Sequence, residues 1–532
     1  MLRTAAALVA AVLALAPLST PSAAADPAGS WVVAWASAMA WRPSGPAYNA
    51  TVRQIVPLSV DGTSVRVQLS NQFGTIPLTV GAATVAVDMK GPTLVPGTVQ
   101  PLSFAGSPSV VIPPGGTATS DPLAFGVHAG ERLAVSVWAP GQADVTAHYD
   151  AGPMSYAADG AGNLTGDTSG DGLTMPKTWD RWVSAVEVAG TDSTGNATVF
   201  LGDSISDGYN PACAVDDCQL TEPWPGVLDD RIQKLPAAQR VAVVDESITA
   251  NTLTVINTPK GRQFRVGGGG PPGLDRLGQV LALPGVDRLV VLLGTNDLWF
   301  GASAEQVITG YQQLLSEASA AHVGVIGVTL LPRAGSEGWT PQMEAERQQV
   351  NQWILTSGSF AAVLDLAAVV ANVYGGACQP AQMYPPFDSG DHLHPNTAGE
   401  TAMADAVPTD LLGAASAPQI APLVPAVPTK GCAHPTVVQV NSPFPSTVSQ
   451  VSPTTTPSST VPVTSPKTTA VRSSVSSDAL GPTSGHSSGV AGRTWIEAAA
   501  VAVVLAVALG AANMMRRRRR ARSGRGSHFR RF

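Results

Sequence analysis

Cysteine is scarce in this chain, with four residues in 532, and no two of them stand as a Cys-x-x-Cys pair. A structural zinc site is therefore disfavoured. Basic residues are also in deficit. Lys and Arg number 31 against 38 Asp and Glu, and nine of the 31 are confined to residues 516–532. The remainder holds 22 basic against 38 acidic side chains, a balance of −16, which excludes nucleic acid as a partner and repels anionic lipid. No internal repeat at solenoid spacing is present. Nor is the chain disordered overall, because 44% of its residues are hydrophobic, enough for sizeable cores in two or three domains.

What is present begins at the ends. An apolar run from Ala5 to Leu18 follows one positive charge and leads to Pro21-Ser-Ala-Ala-Ala25-Asp26, which predicts a signal peptide over 1–25 and hence export. Near the other end, Ala498 to Met515 is apolar except for Asn513 and is followed by Arg516-Arg-Arg-Arg-Arg520. At roughly 27 Å as a helix, this run just spans a bilayer's hydrocarbon core. It lacks the polar stripe of a surface helix. Basic flanks stay cytoplasmic, so the sequence predicts a single transmembrane helix over 495–515, a cytoplasmic tail over 516–532, and everything between the two ends outside the cell membrane. In an exported chain the even set Cys213, Cys218, Cys378 and Cys432 suits disulfides, with three pairings open. One of them joins Cys213 to Cys218 and Cys378 to Cys432.

Between the ends the texture changes twice. From Trp31 to Asp192 short alternating strands are broken by Gly and Pro, as in Ser64-Val-Arg-Val-Gln-Leu-Ser70 and at Leu133, Val135 and Val137. This predicts an all-β sandwich over 31–192. Its Trp31, Trp35, Trp41 and Trp138 are read as core rather than as a glycan-stacking platform. From 193 to 413 short apolar runs alternate with helical stretches: Ala197 to Leu201, Val241 to Val244, Leu289 to Leu293, Val323 to Leu330 and Ala362 to Leu364, with helices over Ala304 to Ala321, Met343 to Leu355 and Thr397 to Leu412. That pattern predicts a doubly wound, flavodoxin-like α/β domain around a parallel sheet. Residues 414–494, rich in Pro, Ser and Thr, read as a disordered stalk.

The polar clusters fall where such a sheet places ligands, at the carboxyl ends of its strands. They are Gly202-Asp-Ser-Ile-Ser-Asp-Gly208, Asp245-Glu-Ser-Ile-Thr-Ala-Asn251, Gly294-Thr-Asn-Asp297 and Asp388-Ser-Gly-Asp-His-Leu-His-Pro395. A serine hydroxyl is a poor nucleophile at neutral pH and needs a base, which His394 supplies. Asp391, three residues earlier, is suited to orient that base and to stabilise it as a cation. His392 is read as a supporting or exposed residue. Asp391, His392 and His394 would need further ligands to hold zinc, and none lies nearby, so neither metal nor cofactor is expected. Gly485-His-Ser-Ser-Gly489 fits the Gly-x-Ser-x-Gly nucleophile pattern but lies in the stalk, with no strand or helix to form the turn.

The four clusters, in this order over about 220 residues, resemble those of the SGNH (GDSL-type) hydrolases. The preceding β domain, with Trp31-Val-Val-Ala-Trp35 and Leu69-Ser-Asn-Gln-Phe-Gly74, is similar to that of a two-domain secreted subgroup common in actinobacteria. The resemblance implies the SGNH hydrolase fold, with Ser204, His394 and Asp391 catalytic. It also implies an oxyanion hole made by the backbone N–H groups of Ser204 and Ala250 and the side-chain amide of Asn296. Where the family usually has Gly, this chain has Ala250, whose Cβ narrows the site and penalises a positive φ. The expected function is an acyl or acetyl esterase on carbohydrate or envelope esters. The alternatives are a lipase-like esterase or acyltransferase on lipid esters, and a catalytically weak glycan-binding protein of the envelope.

Overall fold

The computed structural model of the chain describes residues 31–149, 155–177, 179–208, 222–259, 261, 269–373, 378–413 and 438–440. The predicted signal peptide, transmembrane helix and Arg-rich tail lie outside these residues, as do Cys213, Cys218 and Cys432. Among the described residues no helix is long and apolar enough to cross a membrane.

Residues 31–189 form two antiparallel sheets. One runs in the order Val32–Ala36, Val183–Ala189, Gly62–Ser70, Leu123–Val127. The other is centred on the long pair Ala47–Pro57 and Arg132–Ala143, flanked by Ser155–Ala158 and Ala82–Lys90. Alternation in the sequence becomes a shared core. Val65, Val67 and Leu69 of the first sheet and Val52, Val135 and Val137 of the second are fully buried in one cluster, as period-2 side chains on facing sheets should be. The second sheet is covered on its other face too, where Ile55, Ala86, Leu94 and Ala134 form a smaller cluster. There the buried Arg53 donates to the Ser136 hydroxyl and to the Asp167 carbonyl, satisfying a charge that would be costly alone.

From Ala197 onward the chain builds a parallel sheet with spatial order Ala242–Asp245, Ala197–Gly202, Val286–Leu292, Gly324–Val328, Ala362–Leu364. In chain order that is 2-1-3-4-5, the flavodoxin-like arrangement, and the order reverses between the first and third strands. The strands are mostly apolar, the exceptions being Thr198, Asp245, Asp287 and Arg288, as suits a parallel sheet buried within the domain. Ala197–Gly202 and Gly324–Val328 are buried at every position. The helix Ala304–Ala320 begins with a capping box from Ser303 and Gln306, and Pro341 opens the helix that ends at Thr356, where a missing N–H is harmless.

Two expectations need correction. The last helix does not run from Thr397 to Leu412. It ends at Asp405, and Thr409–Leu412 is a separate 3-10 turn, because Pro408 can neither donate an N–H nor tolerate a helical residue before it. The stalk is not structureless from 414 onward either. Val438–Val440 pairs antiparallel with Ala362–Leu364 at the sheet's edge.

Candidate active site

Strand Ala197–Gly202 ends at Gly202, where an added Cβ would lie 2.6 Å from the Ser206 hydroxyl and 2.7 Å from that of Ser247. Only glycine lets the chain turn this tightly. Asp203 then caps the short helix Ser204–Asp207 by accepting from the Ile205 N–H, and Ser204 becomes its first residue. The first N–H groups of a helix have no intrahelical acceptor, and that of Ser204 is one of them.

The structure brings Ser204, His394 and Asp391 together. Ser204 Oγ lies 2.8 Å from His394 Nε2, and His394 Nδ1 lies 2.6 Å from Asp391 Oδ2. Ser204 and His394 are both buried. The loop carrying the last two is folded on Asp391 itself, whose Oδ1 accepts from the N–H groups of Leu393 and His394 and from Ser389 Oγ. Burial opposes ionisation of this carboxyl, yet those hydrogen bonds and the neighbouring imidazole hold it well below the usual carboxylate range. An ionised Asp391 fixes the ring with Nδ1–H toward itself and leaves Nε2 as acceptor for the serine proton. His392 points elsewhere. It pairs with Asp388 at 2.6 Å and is half exposed.

Asn296 comes from the end of the neighbouring strand, across the point where strand order reverses. Gly294, at φ 122 and with Val307 only 3.0 Å from where a Cβ would sit, turns the chain into the helix Thr295–Trp299. One hydrogen of the Asn296 amide goes to the Asn251 carbonyl at 3.0 Å. Its contact with Asp203 Oδ2, at 3.4 Å, is long, so the second hydrogen is the one free to be redirected. Ala250 sits in the turn after Ile248 with φ 62, the left-handed region that the usual glycine enters freely and alanine does not. The three expected oxyanion donors thus stand on the ends of three adjacent strands.

Several residues at the site had no role assigned from the sequence. Asp297 is buried and accepts from the Leu253 N–H, the Thr254 N–H and the Thr254 hydroxyl at 2.8 to 2.9 Å, pinning the loop after Asn251. Burial nonetheless raises its carboxyl to about 6. Asp203 is raised to about 7, chiefly by burial, with Asp297 adding to the effect and the Ile205 N–H opposing it. Arg333 donates to the carbonyl and hydroxyl oxygens of Thr295. Both aspartates belong to clusters visible in the sequence, whereas Arg333 has no motif around it. Among the described residues no group of three or more His, Cys, Asp or Glu side chains is placed to hold a metal ion.

Comparison with known proteins gives one family match and several similar solved structures. Residues 200–402 match the model of the GDSL-like lipase/acylhydrolase family. Solved structures similar to this chain include a carbohydrate acetylesterase from Sinorhizobium meliloti, 14% identical, covering 39% of this chain and 94% of its own, with a TM-score of 0.30. An aryl esterase from M. smegmatis is 18% identical over 39% of this chain and 94% of its own, with a TM-score of 0.29. An acetylxylan esterase from Geobacillus stearothermophilus, in a catalytic-mutant form, is 19% identical over 40% and 92%, with a TM-score of 0.28. No curated protein matches the chain. Residues 200–402, which carry Ser204, Asn296, Asp391 and His394, thus match the model of a family of ester-hydrolysing enzymes, the GDSL-like lipases and acylhydrolases.

Proposed function

We propose that this protein is an extracellular, membrane-anchored serine esterase that removes short acyl groups, acetyl above all, from uncharged hydroxylated carriers such as carbohydrate. The observation that carries the reading is the unbroken line of contacts from Ser204 Oγ through His394 to Asp391, at 2.8 and 2.6 Å. In this scheme His394 Nε2 takes the Ser204 proton as Oγ attacks the ester carbonyl, and Asp391 stabilises the imidazolium. The Ser204 and Ala250 N–H groups and the Asn296 amide receive the oxyanion. His394 then returns the proton to the leaving alcohol, and water repeats the sequence on the acyl-enzyme.

The Cβ of Ala250 beside the oxyanion position favours small acyl groups, and the excess of acid over base outside residues 516–532 disfavours anionic lipid esters. Anchoring rests on the apolar run Ala498–Met515 and the arginines after it, and disulfides among the four cysteines fit the same exported address. The test is hydrolysis of a chromogenic acetate by the full-length protein in mild detergent, wild type beside Ser204→Ala. Loss of turnover only in the variant is the expected result. Equal, negligible rates in both would replace this reading with a glycan-binding one.

A further inference from the structure

The β domain reaches into the turn that carries Ala250. His148, on the strand Ala147–Tyr149 of that domain, is buried. Its Nδ1 lies 2.8 Å from the Ala38 carbonyl oxygen, which can only accept, so Nδ1 carries a hydrogen. Its Nε2 lies 3.2 Å from Oδ1 of Asp207, three residues after Ser204. The other oxygen of Asp207 accepts from the Thr249 N–H at 2.6 Å and the Thr249 hydroxyl at 2.5 Å. Asp207 is thus shared between His148 Nε2 on one oxygen and the two Thr249 donors on the other. Thr249 is the residue before Ala250.

A second set of contacts braces the same turn. Ile248 is buried in a small cluster with Ala38 and Ala40, with Trp41 packed against it. The backbone of Ala40 and Trp41 is in turn tied to Ala147, the neighbour of His148, by three hydrogen bonds of 2.8 to 3.1 Å. Polar and apolar contacts therefore reach Thr249 and Ile248 from one rigid corner of the β domain. The imidazole also lies in the field of Asp180, Asp245 and Glu246, and Asp207 lies in that of Arg276 from the hydrolase domain.

We propose that His148 is a positioning residue for ester hydrolysis, holding the Ala250 N–H in place through Asp207 and Thr249, so that the β domain completes the oxyanion site. The proposal rests on the serine-esterase reading of Ser204. It gives the β domain a role in turnover that involves no contact with substrate.

The test uses the full-length protein and two replacements, His148→Leu, which removes both ring nitrogens, and His148→Gln, which keeps a polar amide that can reach Asp207. On a chromogenic acetate, His148→Leu is expected to lower kcat about tenfold, part of the effect of deleting a whole oxyanion donor, with KM changed less than twofold. His148→Gln should recover part of the loss. Affinity for an alkylboronic acid, which forms a tetrahedral adduct on serine, should weaken by the same factor as kcat/KM. Hydrogen–deuterium exchange in peptides covering 246–253 should rise in His148→Leu. Should that variant fail to fold, Thr249→Val removes one of the two bonds to Asp207 and should lower kcat severalfold. Wild-type kcat in whichever of these two variants folds, or a change in KM alone, would overturn the proposal. Unchanged exchange over 246–253 would overturn it even if the wild type hydrolysed no ester. An inactive wild type with raised exchange in the variant would instead remove the esterase reading and leave the positioning intact.

Discussion

Replacing Ala250 by glycine separates what this residue does to stability from what it does to acyl selection. At φ 62 an L-residue pays about 1–2 kcal/mol for the left-handed conformation. Glycine removes that strain but gives the unfolded chain about 0.4–1 kcal/mol more entropy to lose. The difference predicts that Ala250→Gly is more stable by about 0.5–1 kcal/mol, a rise in the urea midpoint with no change in slope. The backbone N–H survives, so turnover of an acetyl ester should change by less than about threefold, well short of the loss of a whole donor. Loss of the Cβ opens the oxyanion side of the site, so the ratio of kcat/KM for a butyryl or hexanoyl ester to that for the acetyl ester should rise. A variant that is less stable and shows an unmoved chain-length ratio would refute both the strain argument and the steric one.

Asn296→Ala should lower kcat by about 10²–10³ with little change in KM, as expected when one oxyanion donor is deleted; steady-state kinetics on a chromogenic acetate checks this. Asp391→Asn should cost about 10⁴ in kcat, by the logic of a base left in the wrong tautomer, and single-turnover acylation should slow in parallel. Stability should fall as pH rises. Burial raises Asp203, Asp245 and Glu246 to about 7, Asp297 to about 6 and Asp229 to about 8, so between their ordinary values and these the folded state binds more protons than the unfolded one, and stability present at pH 4 to 5 is lost progressively toward pH 8. Thermal unfolding across that range should give a Tm that declines with pH, and a flat or rising Tm would count against the buried carboxylates.

Much of the hydrolase domain was legible because its physics is local. Five apolar runs marked five buried strands, and the polar clusters just beyond three of them delivered Ser204, Ala250 and Asn296 to one edge of the sheet. The Asp391–His394 pairing was legible for the same reason, since three residues on one turn suffice to bring the two side chains together. What escaped depended on residues distant in sequence. Asp297 stood in a quoted motif, but its three donors at 253 and 254 become visible only when the neighbouring strands are aligned. Asp207 was likewise quoted, yet nothing in its surroundings points to His148, 59 residues earlier in a different domain. At Pro408 two sequence signals compete: the apolar period runs on to Leu412, whereas the proline ends the helix, and the proline prevails.

These long-range contacts bear on how the chain tolerates alanine at position 250. A strained backbone persists only where its surroundings determine it. Just before Ala250, Asp207 holds Thr249 and the β domain packs on Ile248. Just after it, the Asn251 side chain is fixed by the carbonyls of Gly269 and Pro271 and by Arg276, and Asp297 clamps the two residues from 253. Between two anchors this close, Ala250 has little room to relax to a negative φ. Its N–H is therefore oriented by its neighbours rather than by its own conformational preference, and loosening either anchor should matter more in this chain than it would with glycine at the same position.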